Sequence, residues 1–135
     1  MGLLRYNGPV LPLPEDLKHH FHHPAHVGPP KGGYEYEGEA RHPACGDHVV
    51  IYLAVFEKRV REVGFKAMGC PASMAIAAAA VDLLPGMVKD RSLPDAMVDA
   101  YEGLHGPPRD LHRHGLHLVA RAVKNAVAVA PANEN

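Results

Sequence analysis

Two segments rich in β-branched and aromatic residues, Val49–Phe56 and Val60–Met68, are separated only by Glu57-Lys58-Arg59. That spacing constrains the fold more than any other feature of the chain. Both segments read as strands. A parallel crossover needs roughly a dozen residues or more, so strands joined by so short a turn pair antiparallel. Tyr34–Ala40 alternates aromatic or small residues with acids, as an edge strand does. The three make an antiparallel meander.

Helices follow. Pro71 suits a first helical position, with Cys70 at or beside the cap. Ala72–Leu84 is dominated by Ala, Met, Ile and Leu, and Pro85-Gly86 stops it. It is apolar nearly all round, so it is expected to be buried. Ser92-Leu93-Pro94-Asp95 opens another helix, running to about Tyr101, and Gly103–Pro108 reads as a loop. The last helix is expected over Arg109–Val129, where Leu111, Gly115, Leu118, Val119, Ala122, Val123, Ala126 and Val127 form one stripe. Residues 1–33 are irregular and rich in Pro, Gly and His. Pro14-Glu15-Asp16-Leu17 can open a short helix there that stops before Pro24. Strands first and helices afterwards define an α+β class.

The length of 135 residues predicts a single domain over 1–135, able to bury a core unaided. The net charge of −1 and the lack of a basic stripe argue against nucleic-acid binding. Met74–Val81 is the longest apolar run, too short to span a bilayer, and no signal peptide is evident at the amino terminus. Two cysteines make no disulfide framework, so a reduced, cytoplasmic setting is expected. Five of the eleven histidines fall within His19–His26 but outside the site discussed next, either as a polar surface segment or as a metal-capture patch.

The two cysteines carry the chemistry. In Ala44-Cys45-Gly46-Asp47, Gly46 permits a tight turn that lets Cys45 and Asp47 face one spot. Thiolate plus carboxylate suits zinc or iron. Taken alone, the four residues better suit a buried cysteine beside a turn. Cys70 sits at a helix amino terminus, where the partial positive charge favours an anionic sulfur ligand; the alternative is a small packed hydrophobe. Ser73 and Met74 are expected to cap and pack. The last helix is expected to supply His105, His112, His114 and His117. On a regular helix His112 points near the apolar stripe, while His114 and His117 lie further round toward the polar side; an irregular first turn lets His114 swing inward.

These residues resemble the NifU/IscU-type iron–sulfur cluster assembly scaffold family, which includes zinc-bound, sulfur-accepting members of the SufU kind. The likeness runs from about His20 to Val127. It rests on the segment His20–Gly28, on Pro43-Ala44-Cys45-Gly46-Asp47, and on Phe65-Lys66-Ala67-Met68-Gly69-Cys70-Pro71-Ala72-Ser73. It implies a three-stranded antiparallel sheet with helices packed on one face. It also implies a site in which three cysteines, the Asp after the first and often a His hold a [2Fe–2S] cluster or a zinc ion. The implied partners are a cysteine desulfurase, which delivers sulfur, and apo iron–sulfur proteins. The third cysteine is missing. Aligning Leu118–Lys124 with the family's final helix puts His114 on its His and Gly115 on its cysteine; a second register, anchored on Pro107-Pro108, puts His112 and Arg113 there.

The site residues expected from sequence are therefore Cys45, Asp47 and Cys70, completed by His114 or His112. Three functions follow. One is a scaffold that binds a cluster or metal ion and accepts sulfur. The second is a divergent zinc-binding member that docks to a partner and carries no cluster. The third, a zinc hydrolase, lacks any H-E-x-x-H-like signature, so a carrier rather than an enzyme is expected.

Overall fold

The computed structural model describes residues 4–5, 15–44, 46–108 and 113–129. Its elements run β1 (Leu4–Arg5), α1 (Glu15–His22), β2 (Tyr36–Arg41), β3 (His48–Phe56), β4 (Arg59–Met68), α2 (Pro71–Val81), α3 (Leu93–His105) and α4 (Arg113–Ala128). β2, β3 and β4 form the expected antiparallel meander. The sheet has a fourth strand that sequence did not reveal. β1 lies parallel to β4, with Leu4 opposite Ala67 and Arg5 opposite Met68, in the order β1-β4-β3-β2. A two-residue strand carries no periodicity to read.

Register fixes the two faces. Gly38 and Ala40 of β2 stand opposite Ile51 and Val49 of β3, which stand opposite Phe65 and Ala67 of β4. All six are buried, and with Leu53 and Val63 they form the sheet's side of the core. α2 packs on this side against β4, and α4 lies across β2 and β3; α1 and α3 pack on those two helices. The helices thus cover one face, as expected. Every residue of α2 is buried, in keeping with its all-round apolar sequence.

Several boundaries differ from expectation for local reasons. The β3–β4 turn has two residues, not three, because Phe56 pairs directly with Arg59. α2 stops at Val81; Leu83 and Leu84 continue in tighter turns, their amides donating to the carbonyls of Ala80 and Val81 at 3.1 Å. α3 runs past Tyr101 to His105 and ends at Gly106, whose φ of 79° only glycine adopts readily. His105 therefore closes α3 and does not belong to the last helix. Ahead of α3, Asp90 accepts from the Ser92 amide and hydroxyl, and those bonds hold its carboxyl below its ordinary value.

The edge of β4 is covered beyond β1 as well. The Gly28 amide donates to Phe65 O at 2.7 Å, and the Phe65 amide donates to His26 O at 2.9 Å. This strap approaches so closely that a Cβ on Gly64 would lie 2.0 Å from Gly28 O. No helix among the described residues is long and apolar enough to cross a membrane.

Candidate metal centre

Three junctions converge at one end of the sheet. The β2–β3 loop closes on itself, with the His42 amide donating to Asp47 O and the Gly46 amide to His42 O, both at 2.8 Å. Gly46 turns this loop at a φ of 76°, the tight turn expected of it. Asp47 follows, buried, just before β3 begins. Cys70 is the N-cap of α2, with Pro71 in the first turn. His114 is the second residue of α4.

Their ligand atoms meet. The Cys70 thiol donates to Asp47 Oδ2 at 3.7 Å, and His114 Nε2 lies 3.4 Å from the same oxygen. One ligand atom from each of the three lies within 4.8 Å of the others. These separations fit a metal ion. Zinc bonds of about 2.0–2.2 Å to N and O and about 2.3 Å to S would, at tetrahedral angles, give edges of about 3.4 Å for N···O and about 3.6 Å for S···O. The observed edges are 3.4 and 3.7 Å. Asp47 is shielded, its side chain 4% exposed, whereas His114 is 33% exposed, so the site opens on the histidine side.

Of the residues expected from sequence, Asp47, Cys70 and His114 are thus brought together. Cys45 and His112 lie outside the described residues. His114, expected toward the polar side of a regular helix, faces the site from the start of α4. The reason is that the site lies off the end of α4 rather than under its apolar stripe. Gly115 abuts Ser73 near the start of α2, which leaves His114 facing Cys70 across the gap. His117 is exposed.

Three contributors were not legible as site residues. Ser73 is buried, and its hydroxyl lies 3.2 Å from Cys70 Sγ and 3.4 Å from His114 Nε2. Expected only to cap or pack, it links thiol and imidazole instead. Gly69, at φ 150°, leaves room for the carboxylate: a Cβ there would lie 2.2 Å from Asp47 Oδ1. His42 stacks edge-on against the His114 ring, centroids 5.0 Å apart, and limits its rotation. The Gly immediately before Cys70 was the one available signal. The contacts of Ser73 and His42 depend on how α4 docks.

That docking is itself well determined. Leu118, Val119, Ala122, Val123 and Ala126 bury one face of α4. Arg121 Nη2 donates to Arg41 O at 2.9 Å and Asn125 Nδ2 to Glu39 O at 2.8 Å, pinning the helix along β2. Gly38 permits the crossing, since a Cβ there would lie 2.2 Å from Ala126 N.

A sheet with helices on one face and a Cys/Asp/His cluster at its end defines the class: an α+β protein with a preformed metal-type site. Residues 14–134 match the model of the NifU-like N terminal domain, and the chain belongs to that family. It is 29% identical over 108 residues to the iron–sulfur cluster assembly scaffold protein IscU 1 of Archaeoglobus fulgidus, covering 80% of this chain and 69% of that protein. It is 34% identical over 96 residues to the bifunctional protein NifU/MnmA of Rubrobacter xylanophilus, covering 70% of this chain but only 20% of that larger protein. In fold it is similar to the SUF-system protein FiSufU of Fervidobacterium islandicum AW-1, with a TM-score of 0.63 at 16% identity over 85% of this chain and 96% of that one. A NifU-like protein (N-terminal) from Brucella abortus gives a TM-score of 0.63 at 14% identity, over 84% and 90% of the two chains.

Proposed function

We propose that this protein is a carrier of the NifU/IscU family that holds a single zinc-type ion on Asp47, Cys70 and His114, docks to a partner protein, and assembles no [2Fe–2S] cluster. The observation that carries this reading is the meeting of one ligand atom each from Asp47, Cys70 and His114 within 4.8 Å, with the two edges to Asp47 Oδ2 matching a tetrahedral ion. One carboxylate, one imidazole and, with Cys45, two thiolates make a mixed donor set that suits zinc, whereas iron–sulfur clusters are held chiefly by thiolates. Gly115 supplies no thiol, and Ser73 crowds the space beside it. Cys45, two residues before Asp47, is the natural fourth ligand in this reading. The family relation supports a carrier rather than a catalyst, since the relatives' names denote assembly scaffolds. A cysteine desulfurase and apo iron–sulfur proteins are the partners that relation implies. One domain and a cytoplasmic setting complete the proposal.

Metal analysis of tag-free protein purified without chelators tests it. About one zinc per chain is expected, as four-coordinate structural sites hold, lost in Cys70→Ser and His114→Ala and kept in His112→Ala. Visible absorption bands after anaerobic reconstitution with iron and sulfide, abolished by Cys70→Ser, would instead restore the cluster-scaffold reading. Zinc kept in His114→Ala but lost in His112→Ala would move the ligand to the other register.

A further inference from the structure

We infer a second metal site, on α1: His19 and His23 form a solvent-facing bis-imidazole chelate for a divalent transition ion of the nickel, copper or zinc class. It shares no residue with the Asp47–Cys70–His114 centre and does not rest on how that centre is read.

The argument is geometric. His19 lies in the last turn of α1, and the His23 amide donates to His19 O at 2.8 Å, so helical spacing continues through His23. Residues four apart share one helix face. The same spacing puts both histidines of the H-E-x-x-H motif on one metal. Here the two ring centroids stand 5.4 Å apart, with the ring planes inclined at 35°. An ion bonded at about 2.0–2.1 Å to one nitrogen of each ring, at a tetrahedral angle, sets the centroids about 5.2 Å apart. The observed centroid spacing is thus close to the one a chelated ion sets.

The surroundings single out this pair within the His-rich segment. Both side chains are exposed, so an ion can reach them and water can complete its shell. His20 stands edge-on to His19 at 5.9 Å but also edge-on to His105 of α3 at 6.1 Å, and His105 in turn packs on the buried Tyr101 at 4.7 Å. The His22 ring packs on Phe21 at 5.1 Å. The chelate also sits at the carboxyl end of α1, where the helix dipole favours a cation. Two neutral imidazoles without a thiolate hold an ion loosely, so this is an exchanging site. The expected order of affinity rises from nickel to copper.

Calorimetric titration of Ni²⁺ into the full chain, already loaded with one equivalent of zinc, tests the site. His19→Gln and His23→Gln should each weaken Ni²⁺ binding by roughly a hundredfold, the lower end of what tethering two binding groups confers. His22→Gln, with the same composition change one residue away, should shift affinity by no more than about twofold, the scale of a neutral surface substitution. Equal weakening by His22→Gln and His23→Gln would overturn the chelate, because composition alone would then explain binding. Unchanged affinity in both His19→Gln and His23→Gln would overturn it too. Repeating the titration in Cys70→Ser, with no zinc added so that none is free to compete, separates the two centres: the α1 site should keep its affinity there.

Discussion

Gly115 is the residue that decides what the main site can hold. A Cβ there would lie 3.2 Å from both Cα and Oγ of Ser73 and 3.4 Å from Ile76 Cδ1. Neighbours would have to give by a few tenths of an ångström. Gly115→Cys is therefore expected to fold with a loss of about 1–2 kcal/mol, the scale of modest overpacking, read as a lower urea midpoint at unchanged slope. It would also return a thiol to the neighbourhood of Cys70. Anaerobic reconstitution of this variant should give visible absorption bands that the parent lacks. If the folded variant stays colourless, the missing thiol is not what keeps the parent from holding a cluster. Ser73→Ala added to Gly115→Cys removes the Oγ contact and should recover part of the lost stability. The ligand types at Asp47, Cys70 and His114 were legible from sequence because each has intrinsic metal chemistry. Ser73 and Gly69 were not, because their roles arise only when α4 and the β2–β3 loop come together.

At the scale of elements, the β3–β4 hairpin combines a legible pattern with a hidden strain. The two strands could be read from their β-branched residues, and their antiparallel pairing from the short connection. The turn's type could not, because its sequence gives no warning: Glu57 and Lys58 adopt φ of 52° and 69°, the paired left-handed conformation of a type I′ turn. Neither is a residue that favours it, and left-handed backbone costs roughly 1–2 kcal/mol per ordinary residue. Asn-Gly is the natural occupant of such a turn. Glu57→Asn combined with Lys58→Gly is thus expected to stabilise the protein by about 1 kcal/mol, once the added freedom of glycine in the unfolded chain is set against the relieved strain. Thermal or urea unfolding would show it, and a destabilised double variant would mean that the strain is relieved elsewhere. β1 stayed illegible for the opposite reason. Two residues carry no pattern, and their pairing exists only because the edge of β4 beyond Phe65 is free to accept it.

At the scale of the whole molecule, the metal centre is a tie between distant parts of the chain. Asp47 comes from the β2–β3 loop, Cys70 from the β4–α2 junction and His114 from the start of α4; the first and last are 67 residues apart in sequence. The unfolded chain does not hold these groups together, so an ion that binds them adds its binding free energy to folding. At free zinc one hundredfold above the dissociation constant, that addition is about 2.7 kcal/mol. For a domain of this size it should raise the unfolding midpoint by roughly 10 °C. The ligands must be deprotonated to bind, so the increment should shrink as pH falls. Differential scanning calorimetry of metal-free and zinc-titrated protein measures it. Asp47→Asn, Cys70→Ser and His114→Ala should each abolish most of the zinc-dependent rise, whereas His19→Gln combined with His23→Gln should leave it intact, because two imidazoles alone hold zinc too loosely to fill at that concentration. The reverse pattern, a rise lost with the α1 histidines and kept without Cys70, would mean that zinc stabilises the fold from its surface and that the buried cluster is not where the ion resides.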